Sequence, residues 1–176
     1  MIDADLWRRA AAVKLVLFDV DGVLTDGSLF VGDDGQEYKA FHSQDGLGMK
    51  MLRDSGVEIG IITGRTSDVV RHRMKNLGIT HLYQGQEHKL PAYEKLIGQL
   101  GLEPEQTAYV GDDVVDLPIL RRAGLAVAVA DAHPMVRRYV HWQTRNPGGR
   151  GAAREVCELI MQAQGTLDAR IEAYMV

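Results

Sequence analysis

Short apolar runs rich in β-branched residues alternate with segments of helical spacing along most of this chain. That alternation constrains the fold more than any other feature. The runs are Val13 to Phe18, Val57 to Ile62, His81 to Tyr83, Thr107 to Val110 and Leu125 to Val129. Between or after them, Leu47 to Arg53, Ser67 to Leu77, Pro91 to Leu100, Val114 to Ala123 and Pro134 to Arg138 carry apolar residues at helical intervals. Strands that alternate with helices build right-handed crossovers and a parallel sheet covered on both faces. VKLVLFDV and VEIGIIT are apolar almost throughout, as strands buried on both faces must be. The expected fold is α/β, a Rossmann-like three-layer sandwich with a mainly parallel sheet. In such folds, ligands bind at the carboxyl ends of the strands.

Residues 27–41, GSLFVGDDGQEYKAF, break the alternation. They read as two short strands around a Gly32-Asp33-Asp34-Gly35 turn, because Gly and Asp tolerate the backbone angles of hairpin turns. This β-hairpin flap would project from the end of the first strand and present Leu29, Phe30, Val31, Tyr38 and Phe41. An isolated hairpin is marginal, so something must cover that surface. Near the other end, Asn146 to Gly151 reads as a flexible joint, since its glycines lack the strand and the lysine of a phosphate-binding loop. Ala152 to Ala163 reads as an amphipathic helix, and Gly165 to Val176 as more helix or a frayed tail. Residues 1–176 are expected to form one domain, with the flap at 27–41 and a C-terminal helix and tail at 151–176.

Composition narrows the classes of function. Twenty Lys and Arg against twenty-four Asp and Glu leave a formal charge of −4, with no run of five like charges. Nucleic-acid binding, which depends on many phosphate contacts by Lys and Arg, is not expected. The single cysteine, Cys157, excludes an intramolecular disulfide and a CxxC metal clip, and reads as a small buried hydrophobe on a helix. No apolar run reaches the roughly 18 residues of a membrane span, and MIDADLWRRA is too polar for a signal peptide. The expectation is a cytoplasmic protein without a membrane partner.

The chemistry gathers where strands end. The first strand runs into Asp19-Val20-Asp21-Gly22, two carboxylates two residues apart followed by a glycine that permits a sharp turn. The second ends in Thr63-Gly64-Arg65, a hydroxyl and backbone amides before a helix whose start favours an anion. Lys89 precedes the helix after the third strand, where a cation opposes the helix dipole and calls for an anion nearby. The fourth strand leads into Asp112, Asp113 and Asp116, of which helix capping accounts for one. Each feature alone also fits a solvated turn, a cap or a surface lysine, but together they converge on one sheet edge. Asp19, Asp21 and Asp112 would repel one another unless a hard cation such as Mg²⁺ neutralised them. A nucleophile, cations and a proton donor in one place suit phosphoryl transfer.

DVDGVLT at residues 19–25, then Thr63, Lys89 and GDDVVD at 111–116 resemble the motifs of the haloacid dehalogenase superfamily of phosphatases over about 100 residues. The resemblance implies Asp19 as the nucleophile that becomes an aspartyl-phosphate and Asp21 as the acid and base. It implies Thr63 and Lys89 as phosphoryl-binding groups, and Mg²⁺ held by Asp19, the backbone carbonyl of Asp21, and Asp112. Asp116 and Asp113 would support these ligands, Asp113 as a cap or through water. Gly64, Arg65 and Arg73 resemble substrate-binding positions, and a guanidinium can clasp a carboxylate with two hydrogen bonds. Only the hairpin lies between Asp26 and Asp45, and 25 residues separate Thr63 from Lys89. The chain is therefore similar to the capless class, which implies a homo-oligomer, most simply a tetramer; within that class DVDGVLTDG, FHSQDG, IITGR, HLYQGQ, YVGDD, AVADAHP and GGRGAAREVCELI resemble phosphatases of a small sugar-acid phosphate. Two other classes compete. A receiver domain of a signalling relay needs an Asp at the end of its third strand, where this chain has His81-Leu82-Tyr83. A non-catalytic oligomerisation module would not need Asp21. His88 reads as a rim residue, and Met49 and Met51 as core.

Overall fold

Every residue of Leu15–Phe18, Thr107–Gly111 and Leu125–Ala128 is buried, so these segments occupy the middle of a sheet covered on both faces. The computed structural model describes residues 3–176. In chain order its strands are β1 (Leu15–Phe18), β2 (Phe30–Val31), β3 (Glu37–Tyr38), β4 (Glu58–Ile62), β5 (His81–Tyr83), β6 (Thr107–Gly111), β7 (Leu125–Ala128) and β8 (Trp142–Gln143). The α-helices are α1 (Ala4–Ala12), α2 (Ser43–Asp54), α3 (Asp68–Leu77), α4 (Leu90–Leu100), α5 (Leu117–Leu120), α6 (Pro134–Arg137), α7 (Ala152–Ala163) and α8 (Leu167–Glu172). Six strands form one parallel sheet in the order β5-β4-β1-β6-β7-β8. The chain leaves β1 toward β4 and β5, then returns to β6 on its other side, which makes the carboxyl end of β1 a switch point. Right-handed crossovers put α2 and α3 on one face and α4 and α5 on the other. The packing agrees, with α2 against α3 and α7, α1 against α7, and α4 against α5. The α/β three-layer expectation describes this architecture.

Several elements differ from the sequence reading, each for a local reason. Helix α1 has no counterpart in it; Asp3 caps its first turn by accepting from Leu6 N at 2.8 Å. β8 is two residues long, too short for any periodicity, and exists because Val127 and Ala128 offer it an edge. Val114 to Ala123 is not one helix: a 3₁₀ turn over Val114–Asp116 gives way to α5, with Pro118 in its first turn. Helix α2 starts four residues before Leu47, where Gly46 and Gly48 accommodate the side chains of Arg73 and Arg154.

The joint at Asn146 to Gly151 is not loose. Gly148 N donates to Asp131 Oδ1 at 2.9 Å and Gly149 N to the Val23 carbonyl at 2.8 Å, so the segment is strapped to the loops that follow β7 and β1. Asp45, buried in α2, secures the far side by accepting from Gly151 N at 3.3 Å and Arg154 N at 2.9 Å. Burial is the main reason its carboxyl titrates above the usual range. Cys157 is buried in α7, and burial pushes its thiol well above the usual range; Met49 and Met51 are core.

The hairpin forms, with Phe30 opposite Tyr38 and Val31 opposite Glu37. Leu29, Phe30, Val31 and Tyr38 are each at least half exposed. Phe41 departs from that group: it is half-buried against the core, with the Arg73 guanidinium 5.6 Å from its ring centre. Beyond Gly165, α8 forms and Tyr174 to Val176 are exposed. No helix among the described residues is long and apolar enough to cross a membrane.

Candidate active site

The carboxyl ends of β1, β4 and β6 and the start of α4 surround a cleft of about 510 Å³ lined by Asp19, Asp21, Thr63, Arg65, Lys89 and Asp112. Gly64 and Asp113 also line it. A larger neighbouring cleft of about 610 Å³ lies between the hairpin and the start of α3; it shares Arg65 but holds neither Asp19 nor Lys89.

At the floor, Lys89 is 2% exposed and its Nζ donates to Asp19 Oδ2 at 2.8 Å and to Asp116 Oδ1 at 2.7 Å. Burial works against its charge, but the two carboxylates outweigh that and hold its pKa above the usual value. Asp116 is wholly buried and fully engaged. Its Oδ1 also accepts from Tyr109 Oη at 2.7 Å, and its Oδ2 accepts from the backbone N of Asp112 at 3.0 Å and Asp113 at 3.2 Å. Burial, and then the neighbouring Asp116 charge, raise Tyr109 far above its ordinary pKa, so it stays a hydroxyl donor. Asp113 caps the 3₁₀ turn by accepting from Val114 N at 2.7 Å.

Asp19, Asp112 and Asp116 each bring a carboxylate oxygen within 4.8 Å of the others. Asp116 has spent its acceptors, which leaves Asp19 and Asp112 with capacity for a cation. Without one, their charges are penalised. Burial first, and Asp116 next, push Asp112 up to about 8 and Asp19 to about 6, the latter despite its ion pair with Lys89. The backbone is shaped to the same purpose. Gly22 has φ +88°, and a Cβ there would stand 2.1 Å from Asp112 Oδ2, so only glycine lets the turn after Asp21 approach that carboxylate. Two hard oxygen donors, with a main-chain turn pressed against one of them, fit Mg²⁺.

Around the mouth, Asp21 Oδ1 accepts from Lys39 Nζ at 2.5 Å, and Arg65 Nε lies 4.0 Å from Asp21 Oδ2. Arg65 also donates to Glu37 of the hairpin, and this bond lowers the glutamate's pKa and raises the arginine's. Of the residues expected at the site, Arg73 is not there. It leans the other way, over Phe41 and the His42 carbonyl, because Gly46 opens space for its guanidinium. His88 is exposed beside the cleft. Sequence reasoning missed Tyr109, Glu37 and Lys39. A tyrosine in the middle of a buried central strand and a Glu-x-Lys pair on one side of an extended segment were the available signals.

A family model for haloacid dehalogenase-like hydrolases matches residues 47–124. The 3-deoxy-D-manno-octulosonate 8-phosphate phosphatase of Yersinia pestis is 50% identical over 93% of this chain and 88% of its own, which includes the strand end carrying Asp19 and Asp21. The chain belongs to the haloacid dehalogenase-like hydrolases. Two solved structures show how closely the fold is shared. A probable phosphatase of Pseudomonas syringae superimposes with a TM-score of 0.97 at 53% identity, covering 99% of each chain. The 3-deoxy-D-manno-octulosonate 8-phosphate phosphatase of Moraxella catarrhalis, solved with magnesium, phosphate and the octulosonate, gives 0.93 at 45% identity over 96% of this chain and 97% of its own.

Proposed function

We propose that this chain is a Mg²⁺-dependent phosphoric monoester hydrolase that converts 3-deoxy-D-manno-octulosonate 8-phosphate to the free sugar acid and phosphate, a step in making lipopolysaccharide precursors in the cytoplasm. The observation that carries the reading is the Asp19–Lys89 pair at the switch point, with Asp21 two residues on. It is supported by similarity to a relative solved with magnesium, phosphate and that sugar acid.

Asp19 is the nucleophile. As its carboxylate oxygen bonds phosphorus, the bond from phosphorus to the sugar oxygen breaks and Asp21 gives that oxygen a proton. Water then attacks the aspartyl-phosphate, Asp21 takes the proton back, and phosphate leaves with Asp19 regenerated. Thr63, Gly64 and Lys89 cradle the phosphoryl oxygens, and Arg65 faces the substrate's charge. Asp19, Asp112 and the backbone carbonyl of Asp21 would hold Mg²⁺, which supplies positive charge against the phosphoryl oxygens when bound. Asp116 and Tyr109 keep Lys89 charged and aimed.

The hairpin's exposed apolar residues support a homo-oligomer, a tetramer in the capless class, in which neighbours shield each site.

A phosphate-release assay over a panel of sugar-acid phosphates with Mg²⁺ tests the activity. The eight-carbon ester is expected to lead, chelation to stop turnover, and Asp19→Asn to abolish it in a folded protein. Preference for a nine-carbon keto-sugar acid phosphate would reassign the substrate, and an Asp19→Asn variant keeping more than about a tenth of the rate would remove the nucleophile.

A further inference from the structure

Lys39 belongs to none of the motifs that carry the reaction, yet its side chain is only 1% exposed. Burying a whole lysine side chain demands a partner for its charge. It has one in Asp21, whose Oδ1 accepts from Nζ at 2.5 Å, and a second anion in Glu37, with Oε2 at 4.0 Å. Glu37 Oε1 in turn accepts from Arg65 Nη2, and Arg65 Nε stands 4.0 Å from Asp21 Oδ2. Two cations and two anions thus close a ring that joins the hairpin to the ends of β1 and β4.

The ring treats the two oxygens of Asp21 differently. An ammonium only donates, so the oxygen accepting from Lys39 is the poorer seat for a further hydrogen. The other oxygen, on the side of Arg65, has no close donor among the described residues. We propose that Lys39 is a positioning residue for Asp21: by occupying Oδ1 it directs the proton that Asp21 exchanges onto Oδ2, facing Arg65 and the cleft. This rests on the acid and base reading of Asp21 given above. The hydrogen passes from Oδ2 to the ester oxygen as the phosphorus–oxygen bond breaks. In the second half Oδ2 receives a hydrogen from the attacking water, and Lys39 keeps all its hydrogens throughout. Without the ammonium the carboxyl group can rotate, and a misplacement of about 1 Å can cost about a hundredfold in rate. Glu37 holds Lys39 and Arg65 on opposite sides of Asp21.

The test measures single-turnover release of the leaving group by the Mg²⁺-loaded enzyme from two esters. The octulosonate 8-phosphate loses an alkoxide that needs a proton, whereas p-nitrophenyl phosphate loses a phenolate that needs none. Lys39→Met and Lys39→Gln are expected to slow release from the sugar ester about tenfold or more, to leave KM within about twofold, and to slow the aryl ester far less. Lys39→Arg, which keeps the cation, is expected to recover most of the loss. Equal losses on the two esters, an effect confined to KM, or rates within about twofold of the parent in the neutral variants would overturn the proposal. If the single neutral variants do not fold, the double variant Lys39→Met with Glu37→Gln, which removes one charge of each sign, decides by the same comparison. Asp21→Asn is the separate control: parental release of the sugar by that variant would sink the acid and base reading itself, whatever Lys39 does.

Discussion

Asp112 shows how burial and neighbouring acids would prime a single side chain for the proposed cation. Burial, Asp116 and Asp19 raise its pKa to about 8, so in metal-free protein the folded state holds a proton that the unfolded chain releases at an ordinary carboxylate pKa of about 4. A raised carboxyl pKa means that folding binds protons. The stability of the metal-free protein should therefore fall as pH rises from about 4 to about 8 on this group's account, and level off above that. Mg²⁺ competes with the proton, so its stabilising effect should be larger near pH 8 than near pH 6. Thermal melts with chelator and with Mg²⁺ at the two pH values check this; an equal or larger Mg²⁺ shift at the lower pH would contradict it. Lys89 sits on the opposite side of the balance, since its two carboxylates hold it charged at any pH of interest.

At the scale of elements, the segment before α7 braces the loop after β1. Gly148 shows the closeness of fit: a Cβ there would lie 1.8 Å from the Gly22 carbonyl oxygen and 3.1 Å from that of Thr25, both main-chain atoms with little room to yield. Gly148→Ala should cost roughly 1–3 kcal/mol of stability. It should also weaken Mg²⁺ binding, because the displaced turn is the one that meets Asp112. Gly98→Ala is the control. Gly98 lies inside α4 with nothing within 4 Å of an added Cβ, so alanine there should stabilise by about 0.5–1 kcal/mol. Chemical denaturation gives the stabilities and a calorimetric titration the Mg²⁺ affinity; unchanged Mg²⁺ binding in Gly148→Ala would show that the brace does not reach the site.

For the whole molecule, the sheet supplies the cleft, and none of the described residues of one chain closes it. The hairpin leans over the mouth through Lys39 and Glu37 while turning Leu29, Phe30, Val31 and Tyr38 to solvent. Replacing Phe30 and Val31 together with Asp should dissociate the proposed oligomer. It should also lower turnover of the sugar-acid phosphate more than that of a small aryl ester, which needs less shielding. Sedimentation checks the first outcome and paired assays the second. A parent protein that sediments as a monomer at micromolar concentration, with selectivity intact, would refute this account of substrate choice.

What the sequence determined by itself is local or periodic. Apolar runs such as VKLVLFDV define the buried strands because a strand covered on both faces admits little else, and the sheet order then places every strand-end motif at one edge. That Asp19, Asp21, Thr63, Lys89 and Asp112 line one cleft could be read for that reason. Tertiary structure decided what depends on packing between distant segments. Arg73 lies on the expected helix, yet the space over Gly46 draws its guanidinium away from the cleft. The glycines at 148–149 look loose in sequence and are held because they press on main chain more than a hundred residues earlier. Lys39 stands in no motif, and only the hairpin folding back buries it against Asp21, a contact that no spacing along the chain encodes.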